Sequence, residues 1–175
     1  QVSLKIGVIE ENRIRYKDFD LPAKFTSNKG YDIQPIQGQH HHALLIVHDS
    51  GSSGSLINMD LRKRTWKLLM NDLHLDLSAS GLHCSVKHIQ RVEGRLLVNR
   101  YRTDSKRTWV QTTVSSDFGI TWSPVIFTGF DKKFPKQQHL VFSDNAPIVA
   151  SDVSPGVIVA SAVKAKKRHL VTTVI

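Results

Sequence analysis

The sequence predicts an all-β fold: short antiparallel strands gathered into four-stranded blades, as an incomplete part of a larger β-propeller. Three observations carry that prediction. Apolar and β-branched runs of strand length recur along the chain, punctuated by Gly30, Pro35, Gly38, Gly129, Pro135, Pro147 and Pro155-Gly156. Long helical periodicity is scarce, whereas Leu73–Leu82 (LHLDLSASGL) alternates apolar and polar residues in period two. The third is an internal repeat of about 40–50 residues with about four strands per copy, which is the sequence mark of a propeller.

Each element follows from its residues. Residues 1–39 are expected to form strands, with no role assigned. Residues 40–82 form a first copy of the repeat. In it Ala43–Asp49 reads as a strand, SGSSG as a flexible turn, SLINM as a strand, and DLRKR as a turn leading into TWKLLM. Residues 83–128 form a second copy. Arg95–Arg102 is apolar-rich, Thr103–Lys106 is a polar turn, and Trp109–Val114 is rich in aromatic and β-branched residues. SSDFGITW (115–122) and WSPVIFTG follow. Residues 129–175 are read as a linker and a partial third copy, with a strand, a basic turn and a second strand. TTV at 172–174 echoes TTV at 112–114.

The stretch SSDFGITW has a mechanical reading, as the bend joining the third and fourth strands of a blade. Asp117 can accept hydrogen bonds from backbone N–H groups of a turn. Gly119 can supply a positive φ. Ser115 and Thr121 can tie the strand ends through their hydroxyls. Trp122 is expected to bury its ring under the turn or against the next blade. Asp60, Thr65 and Trp66 repeat the Asp…Thr-Trp ending with one extra residue, a degraded copy.

Ser115, Asp117, Gly119, Thr121 and Trp122, as Ser-x-Asp-x-Gly-x-Thr-Trp, resemble the Asp-box (BNR repeat) of sialidases and of sortilin-type vacuolar sorting receptors. NAPIVASDVSPGVIVASAV (145–163) resembles the segment that follows a late Asp-box in the sortilin-type family. RVEGRLLVNRY (91–101) and WVQTTVSSDFGITW (109–122) precede it in that family's order. The resemblance is best over 83–175 and weaker over 40–82. It implies the later blades of a receptor propeller that binds peptides or proteins on the luminal or extracellular side of the secretory and endosomal pathway. Paired cysteines and the cysteine-rich modules usual in that family are missing, since Cys84 is the only cysteine.

Catalysis is the alternative that resemblance offers, as a sialidase-like protein that binds or hydrolyses glycans. A sialidase would need an arginine triad for the substrate carboxylate and a tyrosine–glutamate pair. Arg62, Arg64, Arg91, Arg95, Arg100, Arg102 and Arg107 are plentiful, but none sits in a recognisable sialidase setting. Beyond Glu10 and Glu11, Glu93 is the only glutamate. The expectation is therefore ligand binding without catalysis.

Charge opens a further reading. With 40% hydrophobic and 22% charged residues the chain is globular, and its net charge of +9 favours polyanions. Lys164, Lys166, Lys167 and Arg168 fall in a predicted hairpin turn, and Arg62, Lys63 and Arg64 in the corresponding turn of an earlier copy. Lys132, Lys133 and Lys136 add a third run. On one rim they would make a heparin-like polyanion surface; scattered, they are solvated turns or guards of strand edges. No nucleic-acid motif accompanies them.

His40, His42 and His48 share strand parity beside Asp49, yet zinc needs about four converging ligands, so a polar strand entry is the simpler account. No metal or cofactor is expected. Cys84 reads as a small buried apolar side chain. No apolar run approaches the roughly 18 residues of a membrane helix. The chain begins at Gln1 with no methionine or signal peptide, so a trimmed N-terminus is expected. A box is missing after the third copy, so the rest of a propeller, or a second chain, is expected to complete the fold.

Overall fold

A computed structural model describes residues 4–26, 30–36, 39, 41–78, 81–84, 86–88, 94–127, 138–139, 141–142, 148–150, 157–164 and 167–174. The chain is mostly β, in antiparallel sheets, as the strand-length runs predict. It divides into two units, Gln1–Asn71 and Asp72–Ile175. Among the described residues the strands form no closed barrel or propeller, and no helix is long and apolar enough to cross a membrane.

The first unit opens with a ribbon of β1 (Leu4–Glu10) and β2 (Arg13–Phe19), paired antiparallel. Glu11 and Asn12 turn the chain with φ of 46° and 64°, the left-handed pair that a two-residue hairpin of type I′ requires. A single helical turn, α1 (Ala23–Thr26), follows. Then β3 (Tyr31–Pro35), β4 (His42–Ser50), β5 (Ser53–Asp60) and the first half of β6 (Thr65–Ser78) lie side by side in chain order.

This meander begins at Tyr31, inside the segment to which the sequence assigns no role. Pro35 and Gly30 mask β3, because both read as breakers when the pairing partner is unseen. The expected SGSSG turn shrinks to Gly51-Ser52, and Ser53 and Gly54 join β5.

β4 is the centre of this unit. Leu44, Leu45, Ile46 and Val47 are all fully buried, so a continuous apolar run, not an alternating one, marks it. Ala43, Leu45 and Val47 share a face and pack with Ile57 and Met59 of β5, Phe19 of β2 and Phe25 of α1. Trp66 meets Phe25 edge-on, with ring centroids 5.8 Å apart. The Tyr31 hydroxyl donates to the Phe25 carbonyl.

In the second unit the far half of β6 pairs with β7 (Gly81–Cys84), and β8 (Lys87–His88) lies on one edge of β9 (Leu96–Thr103). Leu73 of β6 lies opposite Arg100 further along that edge, where the guanidinium holds the Asp72 carboxylate at 2.5 Å. The period-two stretch is thus two strands, and its first half continues TWKLLM without a break.

The other edge of β9 carries β10 (Thr108–Ser115) in an uninterrupted eight-pair hairpin. Its turn lies at Asp104–Arg107, one residue beyond TDSK, because Thr103 pairs with Thr108. On the far edge of β10 sits β11 (Ser123–Pro124). β12 (Ile126–Phe127) pairs with β13 (Gln138–His139). A last sheet orders β14 (Val141–Phe142), β16 (Val157–Lys164) and β15 (Ile148–Ala150), with β17 (Lys167–Val174) also on β16.

Candidate functional site

Residues Ser115–Trp122 form the corner between β10 and β11. Ser115 ends β10 and is buried. Its hydroxyl donates to Asp117 Oδ1 at 2.7 Å and accepts the Gly119 N–H at 2.8 Å. Asp117 Oδ1 also accepts the Thr121 N–H at 2.8 Å, and Oδ2 accepts the Thr121 hydroxyl at 2.6 Å. Gly119 has φ of 87°, as the turn demands. The serine, aspartate, glycine and threonine are thus joined in one hydrogen-bond network across the bend.

Two contributors escape the sequence reading. Phe118, at an unconstrained place in the motif, adopts φ of 59°. Its N–H bonds to the Gly94 carbonyl at 2.9 Å, and its ring covers Gly94. A Cβ on Gly94 would lie 3.2 Å from the Ser116 carbonyl oxygen and 3.3 Å from the Phe118 ring. Gly94 itself has φ of 75°. The corner is therefore clamped to the entry of β9, which needs glycine twice over: for conformation and for space. Trp122 is only half-buried, with its Nε1 shielded from solvent and, among the described residues, without a hydrogen-bond partner.

The turn at Asp60 works differently. Asp60 Oδ1 accepts the N–H groups of Arg62 at 3.1 Å and Lys63 at 2.9 Å, and Arg64 completes the bend with φ of 56°. Among the described residues no hydrogen bond joins the Thr65 side chain to the Asp60 carboxylate. Asp104 does the same as Asp60: its Oδ1 accepts Lys106 N–H at 2.8 Å and Arg107 N–H at 3.0 Å.

Asp104, Thr108 and Trp109 have the same spacing as Asp117, Thr121 and Trp122. Yet Thr108 bonds sideways to the Thr103 hydroxyl at 3.1 Å. Where the corner has Ser115 and Gly119, this turn has Arg102 and Lys106. The serine and glycine, not the Asp…Thr-Trp spacing, decide which geometry forms.

Electrostatics follow the geometry. The Asp117 carboxyl is pulled down to about 2, first by the Thr121 hydroxyl and N–H, then by Ser115, against the opposing effect of burial. It is a carboxylate at neutral pH with both oxygens engaged. It is poorly suited to general acid work, which needs a raised value. Asp60 and Asp104 are lowered chiefly by the backbone donors of Lys63 and Lys106.

The basic residues divide by unit. Arg62, Lys63 and Arg64 are exposed on the turn between β5 and β6, and Lys63 Nζ lies 3.8 Å from Asp60 Oδ2. Lys164 and Lys167 are register partners at the end of the β16–β17 hairpin, and Arg168 lies opposite Val163. Lys166, Lys132, Lys133 and Lys136 lie outside the described residues, as does His40. His42 Nδ1 lies 3.0 Å from Asn58 Oδ1, and its Nε2 is 3.9 Å from Asp60 Oδ2. Gly30 backs the ring of His48, whose Nδ1 would sit 2.8 Å from an added Cβ. Among the described residues no group of three side chains could hold a metal ion. Cys84 lies in β7.

No protein-family model matches the chain, and no curated protein matches it either.

Proposed function

We propose that this chain is a non-catalytic ligand-binding piece of a sortilin-type Asp-box propeller, and that its ligand is a peptide or protein met on the luminal or extracellular side of the secretory and endosomal pathway. The observation that carries this reading is the state of Asp117. Its carboxylate is spent on stapling one strand to the next, with both oxygens engaged by Ser115 and Thr121. A motif used in this way builds a scaffold. The placement of the turns adds to this: Asp60 ends the third strand of the run β3, β4, β5, β6, and Asp117 lies two residues past the third of the run β6, β9, β10, β11, with β6 shared between the runs.

Incubation with a fluorogenic sialoside tests the non-catalytic part. No turnover is expected. Turnover abolished by replacing a single arginine would overturn this reading in favour of glycoside hydrolysis.

A second reading rests on the exposure of Arg62, Lys63 and Arg64 at one bend: a heparin-like polyanion would bind there. Salt-sensitive retention on heparin, lost when these three become alanine, would support it. Retention lost only when Lys164, Lys166, Lys167 and Arg168 are replaced would move the surface to the β16–β17 hairpin.

A further inference from the structure

The β1–β2 ribbon takes no part in either aspartate turn. It is a sheet of two strands, and among the described residues no strand pairs with the outer edge of β2. Arg13 to Asp18 are all exposed, and only Phe19 at the end of β2 is buried. One face of the ribbon is occupied at its far end, where Leu4 and Ile6 pack with Phe19 against the apolar cluster of the first unit, while Arg13, Arg15 and Lys17 on that same face stay exposed along β2. The register sets Ile9 opposite Ile14, and Gly7 opposite Tyr16, on the other face. There Ile9, Ile14 and Tyr16 are 77%, 57% and 68% exposed. Three large apolar side chains in contact with water on one short ribbon call for a cover.

The sequence of β2 says what that cover must look like. Arg13, Arg15 and Lys17 alternate with Ile14 and Tyr16, so cations and apolar groups occupy opposite faces. A strand laid along β2 meets a cation at every second position and an apolar group between. Cross-strand pairs gain from opposite charge and from apolar contact.

The backbone is arranged for such an addition. Glu10 and Arg13 flank a two-residue turn, and in such a hairpin the flanking pair and every second pair after it are hydrogen-bonded. The N–H and C=O groups of Ile14, Tyr16 and Asp18 therefore face outward along the edge. Lys5 lies 3.7 Å from Asp18 and offsets the one acidic side chain of β2.

We infer that the outer edge of β2 accepts an extended partner peptide in which acidic and apolar residues alternate. The acidic side chains lie beside Arg13, Arg15 and Lys17, and the apolar ones beside Ile14 and Tyr16. A second copy of this chain is a poor occupant, because β2 against itself sets these cations against one another. An anionic membrane is also a poor one, because the ribbon's tip carries exposed Glu11. The inference holds whether or not the propeller reading does.

The test uses the full chain and two peptides of one composition. In one, glutamate and valine alternate; in the other they stand in separate blocks. The alternating peptide is expected to bind about tenfold or more tightly than the blocked one, and to weaken with salt. It should also slow hydrogen exchange at the amides of Ile14, Tyr16 and Asp18.

Tyr16→Pro removes an outward N–H without touching the ribbon's own hydrogen bonds, and is expected to lower affinity about tenfold. Arg15→Glu with Lys17→Glu should switch preference to a peptide alternating lysine and valine, a gain that misfolding cannot produce. Equal binding of both peptides, or no switch, overturns the inference. Binding to phosphatidylserine vesicles that is lost in Ile14→Glu but kept in Tyr16→Pro overturns it in favour of lipid. Self-association lost in Tyr16→Pro overturns it in favour of a second copy.

Discussion

Asp60 ends β5 and Asp117 lies two residues past β10, and each precedes a threonine and a tryptophan, yet they hold their bends in different ways. Asp60 takes the two nearest backbone donors and stops there. Asp117 reaches four residues on, to both the N–H and the hydroxyl of Thr121. Asp104 separates the causes, because it has the spacing of Asp117 and the bonding of Asp60. A carboxylate takes the nearest donors unless something else claims the middle of the turn. Ser115 does so by accepting the Gly119 N–H, and the left-handed pair Phe118 and Gly119 brings Thr121 back toward the aspartate.

The largest effect that would sharpen this comparison is expected at Gly94. Gly94→Ala forces a side chain into φ of 75° and against the Ser116 carbonyl. A loss of about 2–3 kcal/mol in urea unfolding is expected from strain of that kind. An unchanged midpoint would mean the clamp on β9 contributes little.

Ser115→Ala comes next. It leaves the buried Gly119 N–H without its acceptor, at about 1–2 kcal/mol. Near-neutral behaviour would break the distinction between the corner and the plain turns.

Acid should also separate the two regions. The Asp117 carboxyl stands at about 2 when folded, below its unfolded value. Its contribution is complete above the unfolded value of roughly 3.9 and is lost as pH falls through the folded one. Asp117→Asn should therefore narrow the stability difference between neutral and acidic urea titrations. An equal difference in both proteins would assign the acid response to other groups.

The smallest effect is expected at Arg64, which holds φ of 56° without a motif to justify it. Arg64→Gly should gain up to about 1 kcal/mol by relieving left-handed strain. Phe118→Gly should show no such gain, because the ring over Gly94 is lost with the strain.

Much of the corner was legible because each motif residue carries its role in its own chemistry. A serine hydroxyl, a carboxylate, a glycine and a threonine have few other reasons to stand in that order. β9 and β10 were legible for a similar reason, as β-branched runs around a polar turn. The Phe118–Gly94 clamp was not, because it depends on a contact between places distant in sequence and on a residue the motif leaves open. The similarity of Asp104 to Asp60 was hidden by the opposite problem: spacing looked decisive where the neighbouring side chains decide. β1 and β2 lie in a segment expected to form strands, but their bounds were not legible, because Glu11 is an unusual residue for a left-handed turn, and only Asn12 hints at it. β3 was lost behind Pro35.

The Gly94–Phe118 clamp has a kinetic corollary. It joins Gly94, two residues before β9, to the bend after β10, so it closes a loop that holds the entire hairpin. Closing that loop is cheapest once the hairpin has already zipped and brought its ends together. The clamp is then expected to form late, after the rate-limiting barrier. Weakening it should hasten unfolding while leaving the refolding rate almost unchanged.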